Sequence, residues 1–295
     1  MRARCRVGWP GSATDERLRS VSRYEPRSYW EGLLGRRFDL GGVAYPELPD
    51  RFNARFYRAS EAAARRALRR VGLEPSTPPA RVLDVGSGTG HWIDFWQRFG
   101  AREIVGVDLT EVAVEQLSRR WPEHRFVRAD VSGPELPVEG PFDAVTAMSV
   151  LLHIPDEAAF SRAVRNLGRL LRAGGVAIVL DPVVVHRWWG APFTDASNSR
   201  LRSLDRWRRT LDEAKLDLVA VEPVTWLLAN PVDTRHRATF RLLSGYWHGI
   251  SRLVSGRERT GAIAAAVVAA ADAALVRAGG PGPSTKCLVA RRRRA

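Results

Sequence analysis

The sequence predicts an α/β fold with a doubly wound, mostly parallel sheet, and three observations carry that expectation. The short apolar run Arg81-Val82-Leu83-Asp84-Val85 leads directly into Gly86-Ser87-Gly88-Thr89-Gly90 and then a helix-compatible segment. Two further apolar runs, 102–107 and 176–180, end on acids at Asp108 and Asp181. Before the second of these, Phe160, Val164, Leu167 and Leu171 recur at helical spacing until Arg172-Ala173-Gly174-Gly175 stops the helix. Strand-like runs alternating with helical periods indicate parallel strands joined by crossover helices.

Each element then has a local reason. Glycines after a strand allow a tight turn and close approach to a ligand, and the following helix offers unpaired N–H groups at its start, so 81–92 marks a nucleotide-type cofactor site. The third glycine falls at Gly90, one residue earlier than a dinucleotide fingerprint requires, because His91 holds that position. An acid about 20 residues beyond such a loop can take both ribose hydroxyls of an adenosine, which is the reading for Asp108; a helix N-cap, shared with Thr110, is the other. A short strand at 124–127 precedes Ala129-Asp130-Val131, where Asp130 is either an adenine-edge acid or a solvated loop acid. Pro141 to Met148 supplies a fourth strand, followed by Val150-Leu151-Leu152-His153-Ile154-Pro155.

Taken together, VLDVGSGTG, VGVDL, FVRAD, FDAVTAMSVLLHI and LLRAGGVAIVLD, all within 80–182, resemble the motifs of the class I S-adenosylmethionine-dependent methyltransferases. The segment 284–291 is similar to the closing strand of that fold. The resemblance implies a Rossmann-like sheet of seven strands with the last antiparallel, and S-adenosylmethionine as cofactor. It implies that Gly86, Gly88 and Gly90 line the methionine end, that Asp84 supports the ammonium group and that Asp108, with Leu109 beside it, holds the ribose. Asp130 and Val131 would read adenine, and Met148 would complete the cofactor wall.

Composition bounds what surrounds this core. The chain has 295 residues and a formal charge of +14, and its only lysines are Lys215 and Lys286. Such a charge fits a polyanionic partner or an anionic membrane surface, but an excess made of arginine is equally the mark of coding bias, so nucleic acid is a disfavoured partner. Cys5 and Cys287 lie at opposite ends without metal-ligand spacing, and the six histidines form no H-x-H or H-E-x-x-H pattern, so no metal is expected. The arginine-bearing N-terminus lacks the apolar run of a signal peptide, and with two widely spaced cysteines a reducing, cytoplasmic location is expected.

Residues 1–20 read as a flexible basic tail and 21–79 as a helical cap and linker, the linker being Glu74-Pro75-Ser76-Thr77-Pro78-Pro79. Residues 80–295 are the S-adenosylmethionine-binding domain, with 183–202 and 225–283 expected as insertions on the substrate side. Val183 to Trp189, just past the carboxyl end of a strand, is the leading substrate-wall candidate. In the second insertion Leu242, Leu243, Tyr246, Trp247, Ile250, Leu253 and Val254 form one helical stripe, and 261–278 is an Ala/Val-rich helix. Three roles stay open for it: a lid over an apolar substrate, a homodimer face, or an interfacial helix in peripheral contact with membrane. A transmembrane span is not expected, because Asp272 interrupts the apolar run.

Methyl transfer from a sulfonium needs alignment more than a nucleophilic residue, and a base only where the acceptor must lose a proton. His153, after the fourth strand, and His186, after the fifth, are the candidates, a packing role being the alternative for each. Tyr29, Trp30 and Tyr57 could face the sulfonium by cation–π attraction or simply pack. The nucleic-acid amino-methyltransferase tetrapeptide is missing at Ala147-Met148-Ser149-Val150, no cysteine falls in the cofactor motifs, and Asp181 alone does not make a carboxylate cluster. The expected function is methyl transfer to a small, partly apolar acceptor. The alternatives are an RNA or membrane-lipid methyltransferase using the basic surface, or a non-catalytic cofactor-binding regulator.

Overall fold

The computed structural model describes residues 24–45, 47–190, 193–194, 197–255 and 258–294; the expected tail over 1–20, including Cys5, lies outside the described residues. Five strands carry the motifs: β1 (Arg81–Val85), β2 (Glu103–Asp108), β3 (Arg125–Arg128), β4 (Phe142–Met148) and β5 (Leu171–Val184). The two-residue β6 (Arg202–Ser203), β7 (Leu216–Pro223) and β8 (Thr285–Arg292) follow. The sheet order is β3-β2-β1-β4-β5-β8-β7, with β6 paired to β5 off this path. The ladders from β3 to β5 are parallel, and β8 runs antiparallel to both β5 and β7. Seven strands with an antiparallel last one are therefore present as the motifs imply.

Chain order reverses beside β1: β2 and β3 lie on one side of it and β4 on the other. Open α/β sheets bind ligands at such a point, beyond the carboxyl ends of the strands. Both faces are covered. On one, α3 (Asp50–Arg70), α4 (His91–Phe99), α5 (Glu111–Arg120) and α9 (Glu258–Ala278) bury Phe52, Ile93, Trp96, Leu117 and Ala265 against Val82, Ile104 and Ile178. On the other, α6 (Glu157–Leu170) and α7 (Leu204–Glu213) bury Phe160, Val164, Leu167 and Trp207 against Leu83, Val105, Val145 and Val179. Strands enclosed in this way read as near-continuous apolar runs, which is why β1, β2, β4 and β5 stood out in the sequence.

Helix ends follow ordinary capping chemistry. Asp156 caps α6 by accepting from the Ala159 amide at 2.7 Å, and Ser203 caps α7 by accepting from Arg206 at 3.2 Å. Gly100 closes α4 at φ 103°, its N–H donating to the Trp96 carbonyl. β5 begins at Leu171, earlier than the glycines suggest, because Gly174 and Gly175 sit in a register shift against β4 rather than in a helix stop.

The expected N-terminal cap divides into two parts. Helix α3 belongs to the sheet's helical layer and packs on α9, β7 and β8. Helix α1 (Pro26–Arg36) and the short α2 (Leu40–Val43) reach over the strand ends, where α3 also presents Phe56 and Tyr57. Glu25 caps α1 through the Ser28 amide at 2.8 Å, with Pro26 at the first helical position. The second insertion supplies α8 (Arg237–Val254) and α9, and these buttress α2 and α3.

Candidate functional site

A cavity of about 660 Å³ opens at the carboxyl ends of β1, β2, β4 and β5, within the range of cofactor-sized pockets. Its floor is the glycine loop. Gly86, Gly88 and Gly90 have φ of 70°, 49° and 83°, a region side-chain-bearing residues rarely adopt. A Cβ on Gly86 would lie 2.3 Å from Val150 Cγ2, and one on Gly90 would lie 2.3 Å from the Trp121 ring, so these two glycines are required by neighbouring protein atoms. A Cβ on Gly88 would meet nothing nearer than Val43 Cγ1 at 3.7 Å. There the positive φ, not crowding, calls for glycine.

The acids around the loop are arranged unequally. Asp108 is buried; its Oδ2 accepts from the Gly88 amide at 2.8 Å and its Oδ1 from the Thr110 amide and hydroxyl at 2.9 and 2.7 Å. It pins the glycine loop to the residue that precedes α5 while lining the cavity beside Leu109. Burial holds its carboxyl above the ordinary range, and the nearby Glu31 carboxylate pushes the same way. Asp130 lines the cavity too, with Oδ1 taken by the Ser132 amide and hydroxyl at 2.8 and 2.7 Å. Val131 and Met148 are buried in the cavity wall.

Asp84 lies beneath the loop, 1% exposed. Its Oδ1 accepts from Thr146 Oγ1 at 2.7 Å, while Oδ2 is buried with no partner. Burial pushes its pKa up to about 7. An unsatisfied buried carboxylate oxygen is costly, and a cationic ligand group nearby would relieve it. The open face of Gly88, the ribose-type acid at Asp108 and this unpaired oxygen all fit a nucleoside cofactor carrying an ammonium group.

The rest of the cavity is aromatic and apolar. Trp30 and Leu34 of α1, Val43 of α2, and Phe56 and Tyr57 of α3 line it, together with His91, Trp92 and Leu180. His153 sits on the 3₁₀ turn Leu151–His153 and also lines it. Its ring meets Trp30 edge-on at 4.8 Å, and its Nδ1 contacts the Asn198 carbonyl at 2.5 Å. A carbonyl only accepts, so Nδ1 carries the proton and Nε2 keeps the lone pair. Burial holds the imidazole down to about 4, and it is neutral at neutral pH.

The turn bearing His153 is clamped from behind. Arg202, 5% exposed, donates to the Leu151 carbonyl at 3.2 Å, the Ile154 carbonyl at 2.6 Å and Glu157 Oε1 at 3.0 Å. Its guanidinium lies 3.7 Å from the centre of the Phe160 ring. Asp181 is buried on this side with both oxygens lacking hydrogen-bond partners, and burial raises its pKa well above the usual carboxylate range. Ser149, in the cavity wall, holds φ at 61° and donates its N–H to the Leu180 carbonyl at 2.6 Å, a strained conformation of the kind found at ligand sites.

Three sequence expectations are corrected. His186 does not reach the cavity; its backbone N–H and those of Val185 and Arg187 donate to Asp233 at 2.8–2.9 Å, and its Nδ1 lies 3.5 Å from the same carboxylate. The Val183–Trp189 segment is not the substrate wall, because Trp188 meets Phe240 edge-on at 6.4 Å and Trp189 Nε1 donates to the Thr234 carbonyl, turning both rings into the second insertion. Helices α8 and α9 are not the lid, since none of their described side chains lines the cavity. The lid position belongs to α1. Of the three cap aromatics, Trp30 and Tyr57 line the cavity, whereas Tyr29 accepts a hydrogen bond from Asn198 Nδ2 at 3.2 Å. Arg202 and Asn198 were missed in the sequence, where nothing local distinguishes them from surface residues.

Fold and loop define a nucleotide-cofactor α/β domain, and the comparisons with known proteins make its family specific. Residues 82–175 match the family model described as a methyltransferase domain. The chain is 29% identical to a ubiquinone biosynthesis O-methyltransferase of Alkalilimnicola ehrlichii, across 58% of this chain and 75% of that protein. It is 32% identical to a probable S-adenosylmethionine-dependent methyltransferase of Mycobacterium tuberculosis, across 37% of this chain and 38% of the other. An mRNA cap guanine-N(7) methyltransferase of Cryptococcus neoformans is 31% identical across 38% of this chain and 21% of its own length. The chain thus spans three quarters of the first relative and well under half of the other two. Among solved structures, geranyl diphosphate C-methyltransferase from Streptomyces coelicolor superposes with TM-score 0.50 at 16% identity, covering 81% of this chain and 82% of that one. The [4+2]-cyclase SpnF superposes with TM-score 0.50 at 21% identity over the same shares of the two chains, and both likenesses concern the fold. Residues 82–175 thus carry a methyltransferase domain whose relatives include S-adenosylmethionine-dependent enzymes, and S-adenosylmethionine is its cofactor.

Proposed function

We propose that the protein transfers a methyl group to a small, partly apolar acceptor held beneath α1. The supporting observation is the cavity itself: beyond the glycine loop and its acids it continues into an aromatic and aliphatic wall closed over by Trp30 and Leu34. Apolar lining with a few placed polar groups suits a small molecule better than a polyanion. When bound, S-adenosylmethionine supplies an electrophilic methyl group on a sulfonium, removed by in-line displacement.

The chain's own part is alignment and proton handling. Asp108 fixes the loop on which the cofactor would rest, Gly88 leaves room for it, and Asp84 and Asp130 would hold its two polar ends. Trp30, Phe56 and Tyr57 exclude water and orient the acceptor, which is where most of the barrier reduction in a two-reactant displacement arises. His153 presents a neutral Nε2 that can accept the hydrogen of an acceptor hydroxyl or amine. Its low basicity is no obstacle, because that hydrogen becomes strongly acidic as the acceptor atom gains the methyl group.

The test is a His153→Gln variant assayed once an acceptor is identified. A fall in kcat of about 100-fold with cofactor affinity retained is expected for loss of a general base. An unchanged kcat would remove His153 from the chemistry.

A further inference from the structure

The outer face of α8 and α9 is apolar and open. Ile263 and Val267, one turn apart on α9, are 70% and 67% exposed, and Leu242 on α8 is 73% exposed. The stretch Gly261–Ala278 is long and apolar enough to cross a membrane by length and composition, with 22% of it buried. The expectation that Asp272 breaks this run needs correction, because Asp272 does not sit on the open face. It is 2% exposed, and its Oδ1 accepts from Thr225 Oγ1 at 2.8 Å and from the Trp226 and Leu227 amides at 2.6 Å. Those bonds tie α9 to the segment after β7 and hold it along the domain.

Charge on the same helices is one-sided. Arg241 and Arg252 on α8 and Arg277 on α9 are exposed and make no ion pair among the described residues. The only acids between 237 and 278 are Glu258 and the buried Asp272.

We infer that this face binds the surface of an anionic lipid bilayer, with α8 and α9 lying in its plane. Apolar side chains would enter the acyl boundary and the flanking arginines would meet lipid phosphates, an arrangement characteristic of interfacial helices. Spanning is incompatible with the Asp272 anchor. A second copy of the chain is a poorer occupant, because a two-fold contact would set the same unpaired arginines against each other. The face also connects to the cavity: Trp247 on the inner side of α8 meets Tyr45 at 5.2 Å, Tyr45 meets Phe56 at 5.7 Å, and Phe56 lines the cavity.

The experiment is co-sedimentation of the full chain with phosphatidylcholine vesicles and with vesicles also containing phosphatidylglycerol, at low and high salt. Binding to the anionic vesicles, weakened by salt, is expected. An Ile263→Ser, Val267→Ser variant should bind about tenfold more weakly, since it removes two apolar side chains from the acyl boundary. Both positions are exposed, so its melting temperature and S-adenosylhomocysteine affinity should match the parent. An Arg241→Gln, Arg252→Gln variant should lose most of the salt dependence. No binding to anionic vesicles, or equal binding by the serine variant, would overturn the inference. So would a dimer, seen by light scattering, that the serine variant abolishes. None of these readouts depends on methyl transfer, so the inference and the proposed acceptor class fail independently.

Discussion

Asp84 shows how one side chain couples protonation to the cofactor. Its folded pKa of about 7 lies above the unfolded value of 3.8, so its contribution to stability is fully present below the unfolded value and is lost as pH rises through 7. Asp84→Asn should therefore raise the melting temperature of the cofactor-free protein at pH 8 while weakening the cofactor. In the parent, pairing with an ammonium should ionise the group, so calorimetric titration at pH 6 in buffers of different ionisation heat should show proton release that the variant lacks. His153 acts at the acid end. Its pKa is depressed to about 4, so stability is lost as pH falls from the unfolded value near 6.5 through 4, and replacement by Gln should flatten that limb of a melting curve. The glycines differ in what surrounds them: Gly90→Ala adds a clash with Trp121 to the strain of a positive φ and should lower the melting temperature further than Gly88→Ala, whose Cβ meets only Val43 at 3.7 Å and whose cost should include a loss of cofactor affinity.

The decisive element is α1. It is docked on two sides of its middle turn: Glu31 accepts from the Glu111 and Val112 amides at 2.9 and 3.0 Å, neutralising the positive end of α5, while Tyr29 and Trp30 meet Asn198 and His153. Helix α1 thus links the ribose side of the cavity to the turn bearing the candidate base. Glu31→Ala should free this helix, seen as faster amide exchange over 26–36 and faster cofactor dissociation, with the sheet's protection unchanged. The sequence marks 21–79 as a helical cap and linker but carries no hint of what α1 docks on. The same limit explains the misplaced lid: of the stripe on α8, Trp247 turns toward Tyr45 and Phe52 rather than the cavity, while Leu242 and Leu253 stay exposed. An amphipathic pattern marks a face without naming what it faces.

Across the molecule, legibility followed locality. The residues expected to hold the cofactor, from Asp84 to Met148, lie at strand ends within continuous motifs, where backbone geometry and chemistry are set by neighbours in sequence, and most of them line one cavity. Residues joined over long separations were not legible: Arg202 clamps the Leu151–His153 turn, Asn198 orients His153, and Asp233 captures His186, each through contacts that only the folded chain creates. The central claim is that this assembly methylates a small, partly apolar molecule. The direct measurement supplies methyl-labelled S-adenosylmethionine with a cell extract and partitions the label between organic solvent, protein and nucleic acid. Label in the organic-soluble fraction, resistant to nuclease and protease and absent with an Asp108→Ala variant, is expected. Label retained in RNA or protein, or no transfer in the presence of tight cofactor binding, would contradict the account.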